Sequence, residues 1–114
     1  MNLLRLAAAE LSGLLGASAA VPPEGGILGV RPEDLVLAPA GARSDGGLAL
    51  PLTVETVERV GPESFVYGRL ARGGDVIVRI PGAAAPSFGE QAVAIAPRHK
   101  LHVFSADGSR RINS

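Results

Sequence analysis

The sequence lacks cysteine and tryptophan, and it has no excess of charge of either sign. Its 114 residues include eleven Lys and Arg against eleven Asp and Glu. Without cysteine the chain can form no disulfide, thiolate zinc site or cysteine nucleophile. Binding to nucleic acids and anionic membranes depends largely on surplus Lys and Arg. The balanced charge therefore gives no reason to expect a polyanion as partner.

Motifs that would indicate catalysis are also missing. The single lysine, Lys100, follows no glycine-rich phosphate loop, and no G-x-S-x-G elbow is present. His99 and His102 form one metal-like pair, but residues three apart on a strand point to opposite faces. The same spacing separates Glu55 and Glu58 as a general acid and base, unless a bulge brings them together. We therefore expect no enzyme activity, cofactor or metal site in this chain.

What the chain does have is small residues, with 15 Gly and 9 Pro, and a hydrophobic content of 46%. This length and composition are typical of one small domain with one core. No apolar run reaches the roughly 18 residues that would cross a bilayer.

The pattern of residues 1–26 predicts a short amphipathic helix followed by a Pro- and Gly-rich linker. Its apolar residues recur at three- and four-residue spacing, at Leu4, Ala7, Ala8, Leu11, Leu14 and Leu15. A signal peptide with a cleavage site at Ala17-Ser18-Ala19 is the alternative. Glu10 and Gly13 interrupt the apolar centre that a signal peptide needs, so the helix is favoured.

From residue 27 onward, short β-like runs separated by turn residues replace the helical period. The expected strands are 27–30, 35–37, a strand from residue 48, then 65–70, 76–80, 91–96 and 101–104. The alternation from Leu48 shifts phase at Val57, which predicts a bulge near Thr56, and Pro51 indicates an edge or a distorted start. Phe65 and Tyr67 share a strand face, and we interpret them as core residues rather than as a base-stacking platform. This pattern predicts a sandwich or small barrel.

The run Gly29-Val30-Arg31-Pro32-Glu33-Asp34-Leu35 resembles a motif in the C-terminal regulatory region of ATP-binding subunits of ABC importers, of the maltose and glycerol-phosphate type. Further matches follow in order at Val54-Glu55, Val57 to Glu63, Phe65-Val66-Tyr67-Gly68, Val76-Ile77-Val78-Arg79 and Leu101-His102-Val103-Phe104. The likeness covers about residues 27–114. The dipeptide Met1-Asn2 resembles the passage from the ATPase domain into this region, so we expect the chain to be the regulatory part alone.

The resemblance implies a mainly β, OB-like fold of the TOBE type, with two small lobes over residues 27–114. It implies a non-catalytic role in regulation and dimerisation, with ATP and magnesium bound in the ATPase domain of the same subunit. The partners would be that ATPase domain, a second copy of the subunit, the permease indirectly and a regulatory protein. The location would be cytoplasmic, peripheral to the inner membrane.

Five residues are candidates for interface or regulatory roles. Arg31 and Glu33 flank a rigid proline, which suits an ion pair between lobes or domains. Glu58 and Glu63, around the turn at Gly61, are candidates for an inter-subunit surface. In the alternative hypothesis of a small-ligand module, Arg31 or Arg79 would hold an oxyanion or sugar. An OB-type nucleic-acid binder is a third hypothesis.

Overall fold

The computed structural model describes residues 1–16, 21–82 and 85–113. Within these residues the chain forms eight strands and one α-helix, in two antiparallel sheets, which confirms the mainly β prediction. The elements in chain order are β1 (Asn2–Leu6), α1 (Ala8–Leu15), β2 (Gly26–Val30), β3 (Val36–Pro39), β4 (Leu48–Val60), β5 (Glu63–Leu70), β6 (Asp75–Pro81), β7 (Gln91–Ala96) and β8 (His102–Ser105). Two 3-10 helices lie at Pro32–Asp34 and Arg98–Lys100.

The predicted short N-terminal helix is confirmed at Ala8–Leu15, but its predicted start near Leu4 was wrong. Residues 2–6 form β1, which pairs antiparallel with β2 in a three-stranded sheet of order β1-β2-β8. Asn2, Leu4 and Leu6 are buried while Leu3 and Arg5 are exposed, which is the alternation of a strand. The spacing of the apolar residues in this segment fits both a helix and a strand, and the pairing with β2 makes it a strand.

The helix α1 begins where β1 ends, and it packs on the same core. Leu11 is fully buried, and the Glu10 carboxylate accepts a hydrogen bond from the Ala7 backbone N–H at the helix start. Gly25, at φ +79°, brings the chain back against β1, where a Cβ would lie 2.2 Å from the Leu6 carbonyl oxygen. Only glycine fits this close approach.

Two predictions for the N-terminal segment stay predictions. The boundary at residue 26 stays a prediction, and β1 on one side of it pairs with β2 on the other. The candidate cleavage site at residues 17–19 lies outside the described residues. In the part of the chain that is described, no helix is long and apolar enough to cross a membrane.

The second sheet has the order β3-β7-β4-β5-β6, and its long strand β4 has the predicted bulge. Val54 pairs with Gly68 and Thr56 with Tyr67, so Glu55 is the extra residue. Pro51 lies in a central strand, at a point where β4 pairs with β7 but its ladder with β5 has not yet begun. The missing N–H of Pro51 is tolerated there because one side of β4 is locally an edge.

One hydrophobic core joins the two sheets. Leu4, Leu6, Leu28 and Val30 of the small sheet belong to the same buried cluster as the inward residues of β4 to β7. Phe65 and Tyr67, expected in the core, are half-buried on the opposite face of β5, because Ser64, Val66 and Gly68 point inward. The prediction that Phe65 and Tyr67 are core residues was wrong, because the pairing of β5 with the strands on both sides determines which of its residues face the core.

A side-chain amide joins β1 to the edge of β6. Asn2 Nδ2 donates to the Ile77 carbonyl oxygen and Asn2 Oδ1 accepts from the Ile77 N–H, both at 2.8 Å. Asn2 is only 8% exposed, so both hydrogen bonds satisfy groups that water reaches poorly. Arg72, in the β5–β6 turn, adds hydrogen bonds to the Glu10 carboxylate and the Arg5 carbonyl oxygen.

Replacing Asn2 should therefore weaken the whole fold. We expect Asn2→Ala to lower the free energy of unfolding by about 1 to 3 kcal/mol, because it leaves a donor and an acceptor of Ile77 without partners. Asn2→Asp loses the donor and puts a carboxylate oxygen against the Ile77 carbonyl oxygen, so at neutral pH it should cost at least as much as Asn2→Ala. Urea denaturation measures both. Leu3→Ala on the same strand is the control, and equal costs for Leu3→Ala and Asn2→Ala would contradict the role of the amide.

Candidate interaction surface

An ion pair between β5 and β6 brings together two of the candidate residues. Phe65 pairs with Arg79 across the two strands, and Glu63 lies two residues from Phe65 on the same face. Arg79 Nε and Nη2 donate to the two carboxylate oxygens of Glu63 at 2.5 and 2.7 Å. This bidentate geometry is the strongest form of an Arg–carboxylate contact.

The electrostatics follow from this contact. The hydrogen bonds from Arg79 hold the pKa of Glu63 below its ordinary value, and those same bonds raise the pKa of Arg79. Glu33 also favours the charged form of Arg79, with a smaller effect. The guanidinium therefore stays paired and charged across the physiological range.

Glu33 and Arg79 also line one groove. It lies between β3 and the end of β6, the two outermost strands of the larger sheet, and it has a volume of about 730 Å³. Residues 35–40 form one wall and residues 79–81 the other, and residues 85–86 and 90–92 complete the lining. The structure thus places Glu33 and Arg79 at one site, with Glu63 behind Arg79.

Arg31 and Glu58 lie apart from this groove. Arg31 is exposed at the start of the first 3-10 helix, and the ion pairs of the described residues include neither Arg31 nor Glu33. Glu58 is exposed on β4, opposite Phe65 and on the same outer face as Glu63. Their interface roles stay predictions.

The contacts that tie the two sheets together were missed in the sequence. These contacts involve Asn2, Glu10 and Arg72, and they join residues that are 62 to 75 positions apart in the chain. The one available signal was that the polar residue Asn2 alternates with Leu4 and Leu6. This signal is apparent only when the segment is interpreted as a strand.

The two histidines are not brought into a metal site. His99 is exposed in the second 3-10 helix, whereas His102 is half-buried in β8. Across residues 1–16, 21–82 and 85–113 no group of three His, Asp or Glu residues could hold a metal ion.

Comparison with known proteins decides the family. The family model described as the TOBE domain matches residues 28–104, more than half of the chain. This chain belongs to the TOBE domain family. The resemblance carried by residues 29–35 and the motifs after it is confirmed.

The TOBE chain is similar to part of two longer ATP-binding proteins. It is 58% identical to the sn-glycerol-3-phosphate import ATP-binding protein UgpC of Rhodopseudomonas palustris, over 98% of this chain and 34% of that protein. It is 39% identical to UgpC 3 of Agrobacterium fabrum, over 96% of this chain and 32% of that protein. The chain thus spans about a third of the length of these relatives.

The fold is shared with a solved structure. The cytoplasmic molybdate-binding protein ModG, crystallised with molybdate bound, superposes with a TM-score of 0.65 over 74% of this chain and 65% of ModG, at 18% identity. This likeness confirms the predicted OB-like TOBE fold.

The lowering of the Glu63 pKa should depend on Arg79. We expect Arg79→Gln to raise the pKa of Glu63 toward its ordinary value, as measured by NMR titration of the carboxyl carbons. Because the pKa of Glu63 is lowered in the folded chain, the Glu63–Arg79 pair stabilises the fold at pH values above the ordinary carboxyl pKa. This stabilisation is lost as the pH falls through the pKa of Glu63 in the folded chain. Arg72→Gln is the matched control: it should raise the pKa of Glu10, which Arg72 lowers, and leave Glu63 unchanged. A Glu63 pKa unmoved by Arg79→Gln would contradict this assignment.

Proposed function

We propose that this TOBE domain is the non-catalytic regulatory and assembly module of an ABC importer ATP-binding subunit of the glycerol-phosphate type. The observation that carries the proposal is the 58% identity to an import ATP-binding protein, which extends over 98% of this chain but only a third of that protein. A segment of this kind acts beside an ATPase domain that supplies the ATP and magnesium sites, and it needs no cofactor of its own.

The architecture supports a role in holding proteins together. Two sheets share one core and are joined by part-buried hydrogen bonds, which favours a domain that moves as one body. Glu58 and the Glu63–Arg79 pair occupy an outer face of β4 to β6, where they are available to a second subunit. A net charge of zero suits protein partners better than nucleic acid.

The partners and location follow from this role. The domain contacts the ATPase domain of its own subunit and a second copy of the subunit, and through them the permease. It receives a signal from a regulatory protein. The assembly lies on the cytoplasmic side, peripheral to the inner membrane.

Oxyanion binding is the second candidate, favoured by the fold that this chain shares with molybdate-bound ModG. The groove argues against it. Its arginine, Arg79, is held by Glu63, and Glu33 and Glu90 add negative charge to the walls. Carboxylates so placed repel an anion.

A segment exchange tests the proposal. The matching segment of the Rhodopseudomonas palustris protein is replaced by this chain, and glycerol-3-phosphate uptake is measured in cells lacking their own subunit. We expect the chimera to support uptake comparable to that of the parent, while a version truncated before the segment does not. The isolated chain should hydrolyse no ATP.

Two variants of the chimera serve as a matched pair. Leu28→Asp puts a charge in the fully buried centre of β2, and we expect it to behave like the truncated protein, whereas Leu3→Asp, 63% exposed on β1, should not. Full uptake by the truncated protein, or a chimera that accumulates normally without supporting uptake, would overturn the proposal. ATP turnover by the isolated chain would contradict its non-catalytic part.

A further inference from the structure

The small sheet has one side in the core and one side turned to solvent. Leu4 and Leu6 of β1 are buried, as are Leu28 of β2 and Val103 of β8. Because paired residues of neighbouring strands share a side of the sheet, the register places the alternate residues together on the outside. We call this outer side the apolar face, and its positions are Met1, Leu3 and Arg5, then Ile27, Gly29 and Arg31, then His102 and Phe104, and Arg111 opposite Phe104.

The centre of the apolar face carries apolar side chains where a solvated side of a sheet normally carries polar ones. Leu3 is 63% exposed and Met1 55%, while Ile27 and Phe104 are half-buried. Met1 and Leu3 lie over Gly29, where a Cβ would be 3.3 Å from Leu3 Cδ2. Neighbouring exposed apolar side chains of this kind are typical of a surface that a partner covers.

Cations lie at both ends of the apolar face. Arg31, which continues β2 with an extended backbone, is exposed at one end, and Arg5 and Arg111 are exposed at the other. The ion pairs of the described residues include none of these three arginines. Among the described residues no carboxylate occupies a position of this face, and Asp107 in the turn after β8 is engaged by hydrogen bonds within that turn. A ligand that complements the face therefore carries Asp or Glu on both sides of an apolar centre.

The edges of the small sheet are less suited to a partner than its face. Arg72 Nη2 donates to the Arg5 carbonyl oxygen at the outer edge of β1. At β8 the Ile112 N–H donates to the Val103 carbonyl oxygen. Both edges thus already have hydrogen-bond partners, which disfavours an added strand. An apolar side of a sheet is instead the type of surface on which a helix packs.

The spacing of the cations matches two turns of a helix. From Arg31 to Ile27, which lies in one row with Arg5, β2 rises by about 13 Å at roughly 3.3 Å per residue. Two turns of an α-helix rise about 11 Å, and the long arginine side chains cover the difference. Carboxylates at positions i and i+7 of a helix can thus reach both ends of the face, while apolar residues at i+3 and i+4 cover Leu3 and Phe104.

We propose that the apolar face of the small sheet binds an amphipathic helix of a partner protein, whose apolar side covers Leu3 and Phe104 and whose carboxylates pair with Arg31 at one end and with Arg5 and Arg111 at the other. A protein is favoured over an anionic membrane, because membrane recognition uses clusters of about four to eight Lys or Arg and this chain has a net charge of zero. The interaction goes beyond the proposed function: the isolated chain binds the helix, and uptake by the chimera does not require it.

An NMR titration of the full isotope-labelled chain tests the proposal. The probe is an acetylated and amidated, alanine-rich peptide of about 18 residues, a length at which an isolated helix can form. It carries glutamate at positions i and i+7 and leucine at i+3 and i+4. The control peptide carries lysine in place of each glutamate. Vesicles of phosphatidylcholine and phosphatidylglycerol are the third probe.

We expect saturable shifts from the glutamate peptide that are centred on the amides of residues 2–5, 27–31 and 102–105, and at least threefold weaker binding of the lysine peptide. No saturable binding, equal binding of the two peptides or shifts centred elsewhere would overturn the proposal. Binding to the vesicles without saturable binding of the glutamate peptide would assign the face to a membrane, and would overturn it as well.

A matched pair of variants locates the apolar contact. Leu3→Asp should weaken binding of the glutamate peptide by at least threefold, because it removes apolar surface and adds a repelling charge. Val36→Asp makes the same change at a residue of β3 that is also 63% exposed, and it should leave binding unchanged. Equal effects of the two variants would contradict the assignment to this face.

A second pair locates the charges. Arg5→Gln/Arg31→Gln should weaken binding of the glutamate peptide by roughly threefold or more, the size expected for two solvent-exposed charge pairs. Arg43→Gln/Arg59→Gln removes the same charge at exposed positions away from the face and should not. The amide spectrum of each variant shows whether it folds like the parent chain. A folded Arg5→Gln/Arg31→Gln variant that binds as tightly as the parent would refute the pairing with carboxylates.

Discussion

The structure depends on how the backbone hydrogen-bonding groups at the edge of β6 are satisfied beside the small sheet. Ile77 presents a backbone donor and an acceptor where water has little access, and Asn2 supplies the matching acceptor and donor from another sheet. An amide side chain carries a donor and an acceptor side by side, which matches the N–H and C=O of one backbone residue. This requirement keeps β1 at β6, and with it the core that Leu4 and Leu6 share with the larger sheet. The three-stranded and the five-stranded sheet thereby form one domain around one core.

The same strand edge leads into the groove between β3 and the end of β6. Asn2 closes β6 at Ile77, and two residues further along Arg79 lines the groove together with Glu33. On the outer face, the Glu63–Arg79 pair fixes a guanidinium that would otherwise attract anions into this region. The described residues thus include an acidic groove and a charged outer face. That is consistent with a module of an importer subunit whose ATP chemistry belongs to another domain.

Local sequence signals predicted the parts of the fold that local chemistry determines. The bulge at Glu55 followed from a phase shift between Val54 and Val57, and strands β5 and β6 from the apolar runs at 65–70 and 76–80. Residues 2–6 were assigned to a helix because the pairing with β2 that makes them a strand is not encoded in the segment itself. For the site, Glu33, Glu63 and Arg79 were named, but their proximity depends on the curl of the sheet. Asn2 and Arg72 were missed because their partners lie far away in the chain.

Native-state hydrogen exchange tests most directly whether the two sheets form one body through Asn2. The exchange rates of the Ile77 amide, the amides of β2 and the amides of β5 are followed at increasing denaturant below the unfolding transition. If the account is right, the slowest amides of all three groups exchange with the same opening free energy and the same denaturant dependence, that of global unfolding. Exchange of β2 and Ile77 at a clearly lower free energy than β5 would show that the sheets open separately, and would contradict it.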